Sequence, residues 1–131
     1  MADAVSLQTP LGKVLGLGSA GEGTGHFINQ RLSAVALILL GGWFTWRIFT
    51  LESFAFLEVV RFIGDPLNGL LLMLLTLTLA YHSWLGIRVV IEDYVHAPLL
   101  KTGLLITTGF VHIFLAAAAL YAIVGVGLGR L

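Results

Sequence analysis

His82, Asp93 and Tyr94 are the residues that could do chemistry here. The stretch Tyr81–His96 begins with a histidine inside an apolar run and ends in Arg88, Glu92, Asp93, Tyr94 and His96. Neutral imidazole is a standard axial ligand for haem iron. His82 lies about six residues inside the end of its apolar run, roughly 9 Å below the membrane surface by helical rise. An ionisable group at that depth is costly, and it usually faces a bundle interior and marks a functional site. Gly86 follows one turn later, and a helix without a side chain there lets a flat macrocycle approach its backbone. The alternative is a histidine that only hydrogen-bonds a neighbouring helix. Asp93 is close to three whole turns past His82, so in an uninterrupted helix His82, Gly86 and Asp93 share a face. Tyr94 points about a third of a turn away. A phenol and a carboxylate at a membrane surface suit a headgroup that accepts hydrogen bonds and protons, as a quinone does. The alternative is a solvated helix end with Tyr94 as an interfacial anchor.

The other histidines read less sharply. His112 sits mid-span in the third apolar run. We read it as an interhelical hydrogen bond to a threonine or a backbone carbonyl, with a second haem ligand as the alternative. His26 and His96 read as extramembrane surface histidines, His96 with a possible part in proton delivery near Asp93. Arg31 stands at the start of the first span and could pair with a propionate or phosphate, or only set topology.

These groups need helices that cross a bilayer. Of 131 residues, 58% are hydrophobic and 11% charged, far below the roughly one quarter charged that soluble domains carry. Seven basic and seven acidic residues cancel, which leaves no basic footprint for nucleic acid. The absence of cysteine excludes disulfides, thiolate zinc sites and any iron–sulfur cluster held by this chain. No basic region followed by an apolar core opens the chain, so no cleaved secretory signal is expected.

The expected class is an all-α membrane protein. Its expected parts are an extramembrane segment, 1–30, and a three-helix membrane anchor, 31–131. The spans fall at about 32–51, 66–88 and 100–128, each near the ~20 residues that a bilayer core requires. A short interfacial helix is possible near 6–15. Gly16–Gly21 spells GxGxxG, but without a preceding strand, a βαβ unit and a later acidic residue it is no dinucleotide site. In the first span Arg47 can snorkel to the headgroups, and Trp43, Trp46 and Phe49 gather at its end as an aromatic belt. Residues 52–65 mix charges with Phe54, Phe56 and Phe62, as an amphipathic surface helix or loop would. Asp65-Pro66 reads as an N-cap followed by a first-turn proline. The second span is uncharged up to Arg88. Pro98 opens the third helix, which is uncharged from Thr102 onward. Three spans place the termini on opposite sides. The cationic balance slightly favours a cytoplasmic amino terminus and a periplasmic carboxyl terminus. Abundant small residues, among them Ser33, Gly41, Gly42 and Gly103, let helices approach closely. A chain this short has little interior, so it is expected to pack with a partner anchor subunit in a larger bundle.

With these residues in place, the chain resembles the hydrophobic membrane-anchor (smaller cytochrome b-type) subunit of bacterial succinate dehydrogenase, respiratory complex II. The resemblance rests on His82-Ser83-Trp84-Leu85-Gly86 followed by Glu92-Asp93-Tyr94-Val95, which reads H-x-W-x-G-(x)6-D-Y-V. The segment from Gly21 to Ala34 is similar to the family's lead into its first helix. What this implies is a subunit with no catalytic residues and no activity alone. By resemblance His82 is one axial ligand of a haem b shared with the partner subunit, beside Gly86, with Arg31 near a propionate. Asp93 and Tyr94 belong to the ubiquinone site, Tyr94 as hydrogen-bond donor to a quinone carbonyl. Implied partners are a cytochrome b556-type anchor subunit, an iron–sulfur subunit and a flavoprotein subunit, in the bacterial inner membrane. Electrons pass from the iron–sulfur subunit to quinone. The alternatives are an anchor of a fumarate reductase, or a cofactor-free three-helix structural subunit.

Overall fold

The computed structural model describes Leu11 and residues 23–130. The possible interfacial helix near 6–15 and the glycine-rich Gly16–Gly21 fall outside this range, apart from Leu11. Four helices follow in order: α1 (Gly23–Phe49), α2 (Phe56–Gly64), α3 (Pro66–Tyr94) and α4 (Pro98–Gly127). No strand occurs among the described residues. Helices α1, α3 and α4 are each long and apolar enough to cross a bilayer.

The first helix starts at Gly23, roughly two and a half turns before the apolar run at Leu32. His26, Gln30 and Arg31 are therefore helical and continuous with the span. Hydropathy marks where a helix meets lipid, not where its hydrogen bonding begins. The second helix is the short amphipathic segment expected between the first two spans, and Phe62 is its buried residue. One residue then serves two helices. The Asp65 backbone N–H donates to the Arg61 carbonyl and closes α2, while its carboxylate accepts from the Asn68 N–H at 2.9 Å and opens α3. Pro66 occupies the first turn of α3 and Pro98 that of α4, where a missing N–H costs nothing.

The arrangement is an open row. Helix α3 is the middle member and packs on α1 along one side and α4 along another. Helices α1 and α4 do not approach each other, and α2 nestles against α3 and α4. Among the described residues only Phe62, Leu85 and Ile91 are buried large apolar residues. Few residues of the spanning helices are fully buried, and much of their apolar surface faces outward. That surface suits lipid and the further helices of a larger bundle. Close approaches occur where side chains are small. A Cβ at Gly69 would lie 3.1 Å from the Ile63 carbonyl oxygen, so α2 folds back against bare backbone.

At the far end of α1 the aromatic belt is partly turned inward. Trp43 stacks on Phe62 with centroids 6.3 Å apart. Trp46 and Phe49 stay exposed. The Arg47 guanidinium lies 5.5 Å from the Phe62 ring centroid. Its Nε is buried without a partner, so the expected outward snorkel gives way to a cation over an aromatic face.

Candidate functional site

Helix α3 runs unbroken from Pro66 to Tyr94. The condition for a common face is thus met: His82, Gly86 and Asp93 fall within about 40° of one another around its axis. That face meets α1 at a polar seam. His82 Nδ1 is 2.9 Å from the Ser33 hydroxyl. Its Nε2 is 3.5 Å from the Gln30 side-chain nitrogen, at the limit of a hydrogen bond. Ser33 is buried and also donates to the Gln30 carbonyl at 3.1 Å. The Gln30 amide lies over Gly86, where an added Cβ would meet its Nε2 at 3.8 Å. The Gln30 Oε1 is buried without a partner.

His26, Gln30 and Ser33 fall on one face of α1, four and three residues apart. This is why the helical start at Gly23 matters: it brings His26 to the site. Beyond Gln30 the seam opens into a cleft of about 1000 Å³, with His26, Gln30, Tyr81, Gly86, Arg88 and Glu92 among its lining residues. His26 is therefore half-buried at a cleft wall, with Nε2 buried and unpartnered, instead of a plain surface histidine. It lies two turns before Ser33, about 10 Å along α1. His82 does not line the cleft; the Gln30 side chain stands between.

The remaining candidates separate. Arg31 is exposed on another side of α1, its guanidinium 5.2 Å from the Phe27 ring centroid. Asp93 is exposed, and Tyr94 is 78% exposed. Neither lines the cleft. The polar end of α3 is organised instead by Arg88, which pairs with Glu92 at 2.7 Å and lies over Trp84. Lys101 donates to the Glu92 carbonyl at 2.8 Å and ties the start of α4 to the end of α3. His96 is exposed in the connection between those helices.

His112 belongs to a different contact. Its Nδ1 is 2.7 Å from the Thr108 carbonyl of its own helix, and its Nε2 is 3.2 Å from the Ser83 hydroxyl of α3. A carbonyl only accepts, so Nδ1 carries the proton and Nε2 accepts from Ser83. Both ring nitrogens are satisfied, as expected for a packing histidine, although the cross-helix partner is a serine.

Sequence reasoning missed Gln30, His26 and the hydroxyl of Ser33. The available signal was the spacing of polar residues at 26, 30 and 33, which places them on one helical face. Among the described residues no group of three or more metal-ligating side chains gathers. The seam can offer one imidazole nitrogen.

Comparison with known proteins identifies the family. The family model described as "Succinate dehydrogenase/Fumarate reductase transmembrane subunit" matches residues 6–123. Three similar proteins all carry the name "Succinate dehydrogenase hydrophobic membrane anchor subunit". That of Rickettsia bellii is 29% identical over 85% of this chain and 89% of its own length. That of Rickettsia typhi is 33% identical over 80% and 84%. That of Paracoccus denitrificans is 31% identical over 94% and 95%. No solved structure matches.

Proposed function

The chain belongs to the succinate dehydrogenase/fumarate reductase transmembrane subunit family, and from that premise we propose that it anchors a succinate:quinone oxidoreductase. In this reading His82 co-ligates a haem b shared with a second anchor subunit, and Asp93 and Tyr94 contribute to the ubiquinone-reduction site.

One observation carries the ligand assignment. Of the three histidines on the spanning helices, His26 precedes the apolar run that starts at Leu32, and the two that lie within apolar runs, His82 and His112, differ. Both nitrogens of His112 are held by hydrogen bonds, whereas the Nε2 of His82 has only a long contact to the end of a flexible glutamine. The residues present would fit a haem held by one nitrogen of this chain. The Gln30 amide can turn away into the adjoining cleft, and Gly86 leaves bare backbone beside it. A haem bound there supplies one-electron redox chemistry, which no side chain of this subunit provides.

The chain's own residues then hold and orient. His82 supplies a neutral nitrogen in the membrane. Tyr94, about 18 Å further along α3 by helical rise, offers a phenol that donates a hydrogen bond to a quinone carbonyl. Asp93 holds a basic partner or routes a proton to the same ligand. The exposure of both residues is what a site completed by partner subunits requires. Arg31, exposed at the same end of α1, is available to a propionate. The soluble flavoprotein and iron–sulfur subunits deliver electrons at the cytoplasmic face of the bacterial inner membrane, where the amino terminus lies.

The test is His82→Ala in the assembled complex. The reduced-minus-oxidised spectrum should lose its b-type haem band while the flavoprotein still oxidises succinate. An unaltered haem band would overturn the ligand assignment.

A further inference from the structure

We propose that Ser33 is a positioning residue for His82: it holds the imidazole in the tautomer protonated at Nδ1 and so keeps Nε2 as a lone-pair donor toward a metal. This rests on the reading of His82 as a haem ligand and goes beyond it, because it assigns a role to α1.

The argument follows from where one proton goes. A serine hydroxyl carries a single hydrogen and two lone pairs. Ser33 donates that hydrogen to the Gln30 carbonyl at 3.1 Å, a group that can only accept. Its oxygen is then an acceptor toward His82 Nδ1 at 2.9 Å. For that contact to be a hydrogen bond, Nδ1 must hold the proton, so Nε2 is left with a bare lone pair. The Gln30 amide nitrogen, a donor, faces it at 3.5 Å. The Ser33 bond to the Gln30 carbonyl thus carries the tautomer assignment, and the backbone of that helix sets the direction of the chain: His82 to Ser33 to Gln30 carbonyl.

Ser33 is buried at the crossing of α1 and α3, so water does not compete for its hydroxyl. A histidine ligand whose second nitrogen donates a hydrogen bond is fixed in orientation and made more basic. Loss of such a partner typically costs about 10–100-fold in metal affinity.

The experiment uses the complete complex extracted from membranes. Haem is drawn off by excess apomyoglobin, and the ferric haem is followed by its electron paramagnetic resonance g-values. Ser33→Ala should release haem about 10–100-fold more readily and shift the g-values, and Ser33→Thr, which keeps the hydroxyl, should restore both. A purely structural Ser33 would alter assembly without moving the g-values. If Ser33→Ala fails to assemble, Ser33→Cys keeps the shape with a weaker acceptor and should show the same loosening and shift. Unchanged release and g-values in the assembled variant would overturn the proposal. His82→Ala, run in parallel, separates the two layers. Loss of haem there with an unaffected Ser33→Ala defeats the role of Ser33 alone, and retained haem in His82→Ala removes the ligand reading on which it rests.

Discussion

Replacing Gly86 with alanine separates a packing glycine from one that makes room for a cofactor. The new methyl would stand 3.8 Å from the Gln30 Nε2, an ordinary contact against the movable end of a side chain. Nothing in the protein has to shift. Alanine is also favoured over glycine in a helix interior by about 0.5–1 kcal/mol. For the protein alone, Gly86→Ala is thus neutral or slightly stabilising. A flat macrocycle lying on the backbone beside His82 meets a methyl group where there was none. Inserting a methylene-sized group into a filled site costs about 1–3 kcal/mol, which corresponds to roughly 5–150-fold weaker haem retention. The measurement is the haem-to-protein ratio of the purified complex, set beside the thermal midpoint of the same sample after haem removal. The expected result is depleted haem with an unchanged or higher midpoint. Full haem content would refute the idea that a cofactor lies over Gly86. A lowered midpoint in the haem-free sample would refute it differently, by showing that the glycine serves helix packing.

Two further outcomes test other parts of the reading. Tyr94→Phe removes one hydroxyl from an exposed position, so it should slow quinone reduction while succinate oxidation by an artificial acceptor stays intact; a parallel fall in both rates would make Tyr94 structural. Asp65→Ala removes the carboxylate that caps α3 and should lower the stability of the anchor by about 1 kcal/mol, read as a reduced thermal midpoint with an unaltered haem spectrum, whereas Asp65→Asn should restore most of the loss.

Much of the architecture was legible in the sequence, because lipid imposes its demand residue by residue. Three apolar runs near bilayer length could only be spans, and Asp65-Pro66 and Pro98 mark helix starts through local rules of capping and ring geometry. The start of α1 was not legible. Residues 23–31 are polar and glycine-rich, and their helicity comes from hydrogen bonds continued outward from the span, which hydropathy does not report. The depth of His82 was readable, but its surroundings were not. Ser33 reads as a small residue that lets helices meet, and its partnership with a histidine 49 residues away depends on how α1 is rotated against α3. His112 shows the reverse: both its partners come from its own turn and the facing turn of α3, and the packing role read from sequence stands.

The bond from Ser33 to the Gln30 carbonyl has a consequence for biosynthesis. It is confined to one turn of α1, so that helix can enter lipid first with its serine already satisfied. No naked hydroxyl waits for a partner while the ribosome makes the next fifty or so residues. When α3 arrives, His82 adds to an arrangement that is already complete and takes its orientation from it. In the proposed reading, the histidine ligand is therefore in place only after the second membrane crossing.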